Sequence, residues 1–180
     1  MIQKKVTVFL SLFILIIISV ALWQIISQQR SLSDIENFEE CQKAGYAISE
    51  SYPAQCHTPD GNTFIQYIGN ELEKQNLIRV SQPRPNTLVS NPLSIQGEAR
   101  GTWFFEANFP VRLIDENGVE LGIGIVQAEG EWMTEDFVPF NAEITFSSPP
   151  SNNGTLILEK SNPSGLPEHA DQLHIPISFE

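Results

Sequence analysis

Basic residues are scarce in this chain: ten lysines and arginines stand against 22 aspartates and glutamates, which gives a formal net charge of −12. Proteins that bind nucleic acids through their phosphates need clustered lysine and arginine side chains. The deficit of basic residues therefore excludes that class of protein, and we predict no nucleic-acid partner.

Other residue types are missing from one end of the chain only. No proline or glycine occurs before Gly45, no acidic residue occurs before Asp34, and residues 6–26 carry no charged side chain. The chain thus consists of an apolar N-terminal segment followed by an acidic part in which prolines and glycines occur throughout. The length of 180 residues allows one ordinary domain plus an appendage.

The apolar segment Val6–Ile26 predicts a transmembrane helix. About 20 apolar residues in an α-helix cross a hydrocarbon core of roughly 30 Å, and this segment is apolar on all sides. Lys4 and Lys5 precede it, which favours a cytoplasmic N-terminus. We therefore expect residues 1–30 to form a single-pass anchor in the cell membrane, with the C-terminal domain extracytoplasmic. A cleaved signal peptide stays open as an alternative, because residues 19–21 fit a small-x-small cleavage site.

The two cysteines, Cys41 and Cys56, lie in the segment 31–76. In an oxidising compartment such a pair predicts a disulfide. The disulfide would stabilise this segment, a spacer that is too short to build a hydrophobic core by itself. A metal or redox site is the alternative. The spacing is not C-x-x-C, and two thiols with His57 fall short of a structural zinc set, so we predict no metal.

Part of this segment has a recognisable pattern. Its residues are Phe38-Glu39-Glu40-Cys41, Ala44-Gly45, Tyr52-Pro53, Cys56, and Pro59-Asp60-Gly61 followed by Phe64. The pattern resembles a small cysteine motif that recurs near the N-termini of exported bacterial proteins of unknown function. The resemblance implies an exported chain and no particular activity.

From residue 77 onward, apolar and polar residues alternate with period two, which is typical of half-buried strands. Asn117-Gly118 is the strongest hairpin signal, and Asn152-Asn153-Gly154 marks another turn. Pro110 and Pro176 remove backbone donors, so we expect edges or bulges there. Seven strands without a helical period predict an all-β domain, an antiparallel β-sandwich over residues 77–180. The seven segments are Ile78–Val80, Leu93–Ala99, Phe105–Leu113, Val119–Ala128, Phe140–Phe146, Thr155–Glu159 and Ile175–Phe179.

The same stretch carries a second resemblance. Its features are Val89-Ser90-Asn91-Pro92-Leu93, Gly97-Glu98-Ala99, Phe105-Glu106-Ala107, the turn at 115–118, and Gly154-Thr155-Leu156-Ile157-Leu158. With these features, residues 77–180 resemble the immunoglobulin-like domain of bacterial spore germination proteins, the Gmad type. The resemblance implies an exported immunoglobulin-like sandwich found on cell-envelope proteins, and it implies no catalytic residues.

Three consecutive aromatic residues suggest a binding surface. Strand alternation sends Trp103 and Phe105 inward and Phe104 outward, where an exposed ring could stack on a sugar or on a protein partner. We take Phe104 together with Trp132, Glu135 and Asp136 as the candidate binding surface, although Trp103 and Trp132 are also candidates for filling the core.

Catalytic motifs are not found in the sequence. There is no Gly-x-Ser-x-Gly and no His-Glu-x-x-His element, so we predict no catalytic residues, no cofactor and no enzyme. The acidic loop 129–136 offers many carboxylates but no selected pair for a hydrolase, and it lacks the Asp-x-Asp-x-Asp-Gly pattern of a calcium loop.

These observations favour a membrane-anchored extracytoplasmic envelope protein. Its immunoglobulin-like domain would bind an envelope protein or a glycan, in processes such as those of spore germination. Two alternatives remain: a purely structural component of envelope assembly, and an exported hydrolase that uses the acidic loop.

Overall fold

The computed structural model describes residues 16–20, 22–24 and 35–179. Residues 16–20 and 22–24 are helical. Among the described residues, no helix is both long enough and apolar enough to cross a membrane. Most of the segment Val6–Ile26 lies outside the described residues, so the transmembrane anchor and its cleaved alternative stay predictions.

The described chain folds into two compact units, which divide between Tyr67 and Ile68. The sequence places its boundary later, after residue 76. The difference arises because Asn70 is tied to the last strand of the larger unit: its side-chain oxygen accepts a hydrogen bond of 2.7 Å from the backbone N–H of His174. The residues just before 77 therefore belong to the larger unit.

The smaller unit, within residues 35–67, is one short helix and a three-stranded antiparallel sheet. Helix α1 begins after Asn37, whose side chain accepts a hydrogen bond of 2.9 Å from the N–H of Glu40. The disulfide Cys41–Cys56 joins the helix to the central strand, and the predicted pairing is confirmed. The two cysteines and Phe38 are buried together as the core of this unit. Its elements are α1 (Phe38–Lys43), β1 (Ala47–Ser49), β2 (Gln55–His57) and β3 (Thr63–Ile65).

The larger unit contains a short helix and eight strands within residues 68–179. They are α2 (Glu71–Lys74), β4 (Ile78–Gln82), β5 (Leu88–Val89), β6 (Leu93–Arg100), β7 (Asn108–Asp115), β8 (Glu120–Ala128), β9 (Phe137–Ile144), β10 (Asn153–Glu159) and β11 (Gln172–Phe179). The strand order is β4-β6-β9-β8-β7-β10-β11-β5. The pairing of β11 with β5 is parallel, and the other pairings in this sheet are antiparallel.

This sheet curls so that its two parts face a common core. In the described residues, β8 and β9 are linked by only two residue pairs, Gln127–Asn141 and Ala128–Phe140, so the sheet turns a corner there. The short connection 83–87 joins β4 to β5, which brings together the two ends of the strand order. The enclosed core is built around Trp103, Phe109 and Phe140. The result is a β-sandwich made from one continuous sheet.

Several details of the strand prediction need correction. Strands β9 and β11 begin three residues earlier than predicted, at Phe137 and Gln172, and the pairing of β11 with β5 is parallel rather than antiparallel. The eighth strand, β5, was not predicted, because two residues are too few to show alternation. The segment predicted to begin at Phe105 begins at Asn108 instead, since residues 101–103 form a 3-10 helix and Glu106 and Ala107 have positive φ angles of 51° and 61°.

This irregular backbone inverts the burial predicted for the aromatic run. Phe104 is only 4% exposed and Phe105 is 44% exposed, so the prediction that Phe104 points outward and Phe105 inward is wrong. Trp103 is buried as predicted.

Candidate binding site

A cavity of about 520 Å³ opens where β6 ends and β9 begins. Residues 101–104 form one side of this cavity, and residues 132–135, from the loop before β9, form the other. The lining residues are Gly101, Thr102, Phe104, Trp132, Met133, Thr134 and Glu135. Two segments that are distant in the sequence thus build a single site.

Gly101 allows these two segments to approach closely. A Cβ atom at this position would lie 2.0 Å from the carbonyl oxygen of Thr134 and 2.2 Å from that of Trp132, well inside van der Waals contact. The N–H of Gly101 also donates a hydrogen bond of 3.2 Å to the carbonyl of Asp136. Only glycine fits here without displacing the loop.

Further hydrogen bonds fix the loop from within and from the adjoining strand. The N–H of Thr134 donates to the carbonyl of Trp132 at 2.8 Å, and the Thr134 hydroxyl accepts from the N–H of Asp136 at 3.2 Å. On β6, Nη1 of Arg100 donates to the carbonyl of Glu135 at 3.0 Å. A loop held in this way loses little conformational freedom when a ligand binds.

The cavity combines apolar walls with a few polar groups. Phe104 forms its floor, with its ring centroid 5.2 Å from that of the buried Phe109. Trp132 is half-buried against the main core, and Met133 is 73% exposed. The polar residues Thr102, Thr134 and Glu135 complete the lining. Such a surface can hold a sugar ring or an apolar side chain of a protein partner.

The structure brings together three of the four residues proposed as a binding surface. Phe104, Trp132 and Glu135 line the same cavity, whereas Asp136 is exposed and is not one of its lining residues. Phe104 contributes a buried floor rather than a protruding ring. Met133 and Gly101 also line the cavity, and neither residue stands out in the sequence without the fold.

The cavity does not have the carboxylates that a glycosidase needs. Glycoside hydrolysis commonly uses two carboxyl groups on opposite sides of the scissile bond. Glu135 is the one carboxylate among the lining residues, all of which the structure describes. Within the described part of the chain, no three His, Cys, Asp or Glu side chains are grouped so that they could hold a metal ion. The absence of enzymatic activity stays a prediction.

Two hydroxyl–imidazole pairs lie elsewhere. Ser49 Oγ is 2.7 Å from Nε2 of His57, whose Nδ1 is 3.0 Å from Thr63 Oγ1. Ser164 Oγ is 3.0 Å from Nδ1 of His169. A catalytic triad also needs a group such as a carboxylate to orient the base. Neither imidazole is hydrogen-bonded to a carboxylate in the residues that the structure describes.

A second cavity was not expected from the sequence. It has a volume of about 570 Å³ and lies over β4, β6 and β9. Polar residues at alternate strand positions line it, among them Arg79, Gln96, Glu98 and Asn141. In the sequence these positions look like an ordinary solvated strand face, so no signal distinguished them.

The fold and the disulfide define a two-unit chain whose larger unit is an immunoglobulin-like β-sandwich. Residues 77–165 of this unit match the family model of the immunoglobulin-like domain of bacterial spore germination. The resemblance inferred from the sequence is thereby confirmed, and the chain carries a domain of this family. No curated protein and no solved structure matches the chain.

Proposed function

We propose that this chain is a membrane-anchored protein of the bacterial cell envelope, and that its immunoglobulin-like domain binds an envelope protein or glycan outside the membrane. The match of residues 77–165 to the spore germination domain carries the proposal. The aromatic cavity at Trp132 is the site that we assign to binding, because it combines apolar rings with fixed polar groups.

Two independent features support the extracytoplasmic location. The uncharged segment Val6–Ile26 has the length and composition of a membrane anchor. The disulfide Cys41–Cys56 belongs to an oxidising compartment, since cytosolic thiols are kept reduced. Both features agree with a cytoplasmic N-terminus and with two folded units on the extracytoplasmic side of the membrane.

Protease protection tests this location. In intact spheroplasts that express the full chain, an added protease should degrade the larger unit while a cytoplasmic control protein survives. The chain should also sediment with membranes after alkaline extraction, and mass spectrometry should find the intact N-terminus. A protected, soluble chain with two reactive thiols would contradict the location. A start at Leu22 would replace the anchor with a cleaved signal.

Substitutions in the cavity test the binding role. The full chain in detergent should retain an envelope protein or glycan, and Met133→Asp should abolish that retention. Met133 is 73% exposed, so this change should leave the fold intact. Trp132→Ala should act in the same direction, with circular dichroism to confirm folding. Phe105→Ala is the matched control, because Phe105 is an exposed aromatic outside the cavity lining.

The same experiment separates binding from a purely structural role. A structural component would assemble with its envelope complex regardless of Met133, and deletion of residues 77–180 would then disrupt assembly. Equal retention by the wild-type chain and by both cavity variants would refute binding at this cavity.

A further inference from the structure

The second cavity is a groove on the outer face of the three-stranded part of the sandwich. Strand register aligns its side chains in two neighbouring rows across β4, β6 and β9. One row is Arg79, Glu98 and Pro139, and the next contains Gln96 and Asn141. The groove therefore presents polar groups in an order that the backbone fixes.

Arg79 is held in place by three contacts. Its Nη1 lies 3.0 Å from Glu98 Oε1, its Nε donates to the carbonyl of Gln75 at 2.7 Å, and its guanidinium lies 4.1 Å from the centroid of the Phe137 ring. A guanidinium fixed in this way is preorganised, because it need not lose side-chain freedom when a ligand arrives.

The charges of the groove balance one another. Arg79 and Arg84 line it together with Glu98 and Glu129, so the formal charges of these four side chains sum to zero; Arg84 is also paired with Glu71, outside the lining, at 2.7 Å. The surrounding residues 77–180 hold 14 acidic and five basic side chains. A polyanion is repelled by the domain as a whole, and a polycation finds no net negative charge in the groove. The charge pattern fits an uncharged ligand.

The groove also offers open hydrogen-bonding groups of both kinds. Within residues 35–179, the side-chain amide of Gln96 has no hydrogen-bond partner. The amide nitrogen of Asn141 donates to Glu129, which leaves the Asn141 carbonyl oxygen available. A primary amide presents a donor and an acceptor side by side, and a hydroxyl group can act as both. Adjacent hydroxyls of a sugar complement this arrangement.

We propose that this groove is a binding site for an uncharged oligosaccharide, with Gln96 and Asn141 as its central hydrogen-bonding residues. The proposal deepens the envelope-binding role and rests on it for the claim that the domain has an extracytoplasmic ligand. It names a chemical class of ligand and a site separate from the Trp132 cavity.

Titration of the isotopically labelled full chain tests the proposal, in a nonionic detergent without a sugar headgroup. The probes are cellohexaose and the hexamer of β-1,4-linked N-acetylglucosamine, both uncharged, with heparin as the anionic comparison. We expect saturable shifts in the side-chain amide signals of Gln96 and Asn141 with at least one uncharged probe, and none with heparin. Gln96→Ala and Asn141→Ala should each weaken binding about tenfold, as expected for the loss of one hydrogen bond. Asn152→Ala, which changes an exposed asparagine outside the groove, should bind normally.

Several results would overturn the proposal. The absence of shifts at millimolar concentrations of both uncharged probes would do so, and so would unchanged affinity in both groove variants. Retention of an envelope protein that Gln96→Ala abolishes, without sugar binding, would make the groove a protein site instead. A failure of the proposed envelope-binding function would give a different result. In that case neither Met133→Asp nor the groove variants would change which envelope molecules the chain retains.

Discussion

The adjacent residues Phe104 and Phe105 allow a direct test of the aromatic packing. Phe104 is 4% exposed and Phe105 is 44% exposed. The Phe104 ring centroid lies 5.2 Å from that of Phe109, which is fully buried. We therefore predict that Phe104→Ala destabilises the larger unit far more than Phe105→Ala does.

The difference in the free energy of unfolding follows from burial. Truncating a buried phenylalanine to alanine costs about 3–5 kcal/mol, because apolar contacts are lost and a cavity remains. Fully burying a phenylalanine contributes about 1.5–3 kcal/mol, so half-buried Phe105 should contribute about 1 kcal/mol. The two variants should therefore differ by at least about 2 kcal/mol.

Urea unfolding followed by tryptophan fluorescence measures this difference. Trp103 and Trp132 both lie in the larger unit, so Trp23→Phe in every protein confines the signal to that unit. The variants should share one m-value and differ in midpoint. Phe104→Leu serves as a milder variant if Phe104→Ala does not fold, and it should destabilise in the same direction.

An equal or greater cost for Phe105→Ala would refute this account of the packing. It would instead support regular strand alternation, with Phe105 inside and Phe104 outside.

Three further substitutions probe other parts of the fold. Gly97→Ala should lower the free energy of unfolding, measured in urea, by about 1–3 kcal/mol. The reason is that its Cβ would lie 2.2 Å from the carbonyl oxygen of Arg79 and would force β4 away from β6. An unchanged unfolding midpoint would contradict this prediction. Asp115→Ala should cost about 1–3 kcal/mol, since its buried carboxylate accepts two backbone N–H bonds of 2.9 and 2.7 Å in the β7–β8 turn; amide exchange at that turn should quicken. Replacing Cys41 and Cys56 by serine should remove about 3 kcal/mol from the smaller unit alone, so proteolysis should quicken there while the unfolding midpoint of the larger unit stays fixed.

Period-two alternation predicted most of the sandwich because the strands are buried on one face. The prolines were also informative. Pro110 lies in β7 beyond the five residues that pair with β10, and Pro176 lies in β11 beyond the two that pair with β5. Each proline thus falls where one side of its strand has no partner in the described sheet. Asn117-Gly118 forms the predicted hairpin, with Gly118 at a φ of 80°.

The sequence does not show which glycines are required because another segment packs closely against them, as opposed to those required by a turn conformation. Asn152-Asn153-Gly154 predicted a turn, yet Gly154 lies inside β10. A Cβ at Gly154 would lie 2.5 Å from the carbonyl oxygen of Ile114 and 2.6 Å from the ring of Phe179. Both neighbours are distant in the sequence, so local turn statistics could not reveal this constraint. The same reasoning applies to Gly101 beneath the Trp132 cavity.

The candidate site was predictable only in part for a similar reason. From the sequence, Trp132, Glu135 and Asp136 are aromatic and acidic candidates, and only the fold shows that Trp132 and Glu135 line one cavity whereas Asp136 does not. The burial of Phe104 depends on a 3-10 helix and on two residues with positive φ, which no alternation pattern encodes. The polar groove was not recognised at all, because Gln96 and Asn141 are ordinary residues for an outward strand position. Only their register shows that they are neighbours.

The two cavities share one structural support. Arg100, which donates to the carbonyl of Glu135 in the cavity loop, places its guanidinium 4.1 Å from the centroid of the Phe137 ring. Arg79, which lines the groove, lies at the same distance from the same centroid. Cation–π contacts of this kind contribute about 0.5–1 kcal/mol each at exposed sites. Phe137 therefore contacts both Arg79, which lines the groove, and Arg100, which holds the cavity loop without lining the cavity, so a single aromatic ring lies next to the supports of both sites.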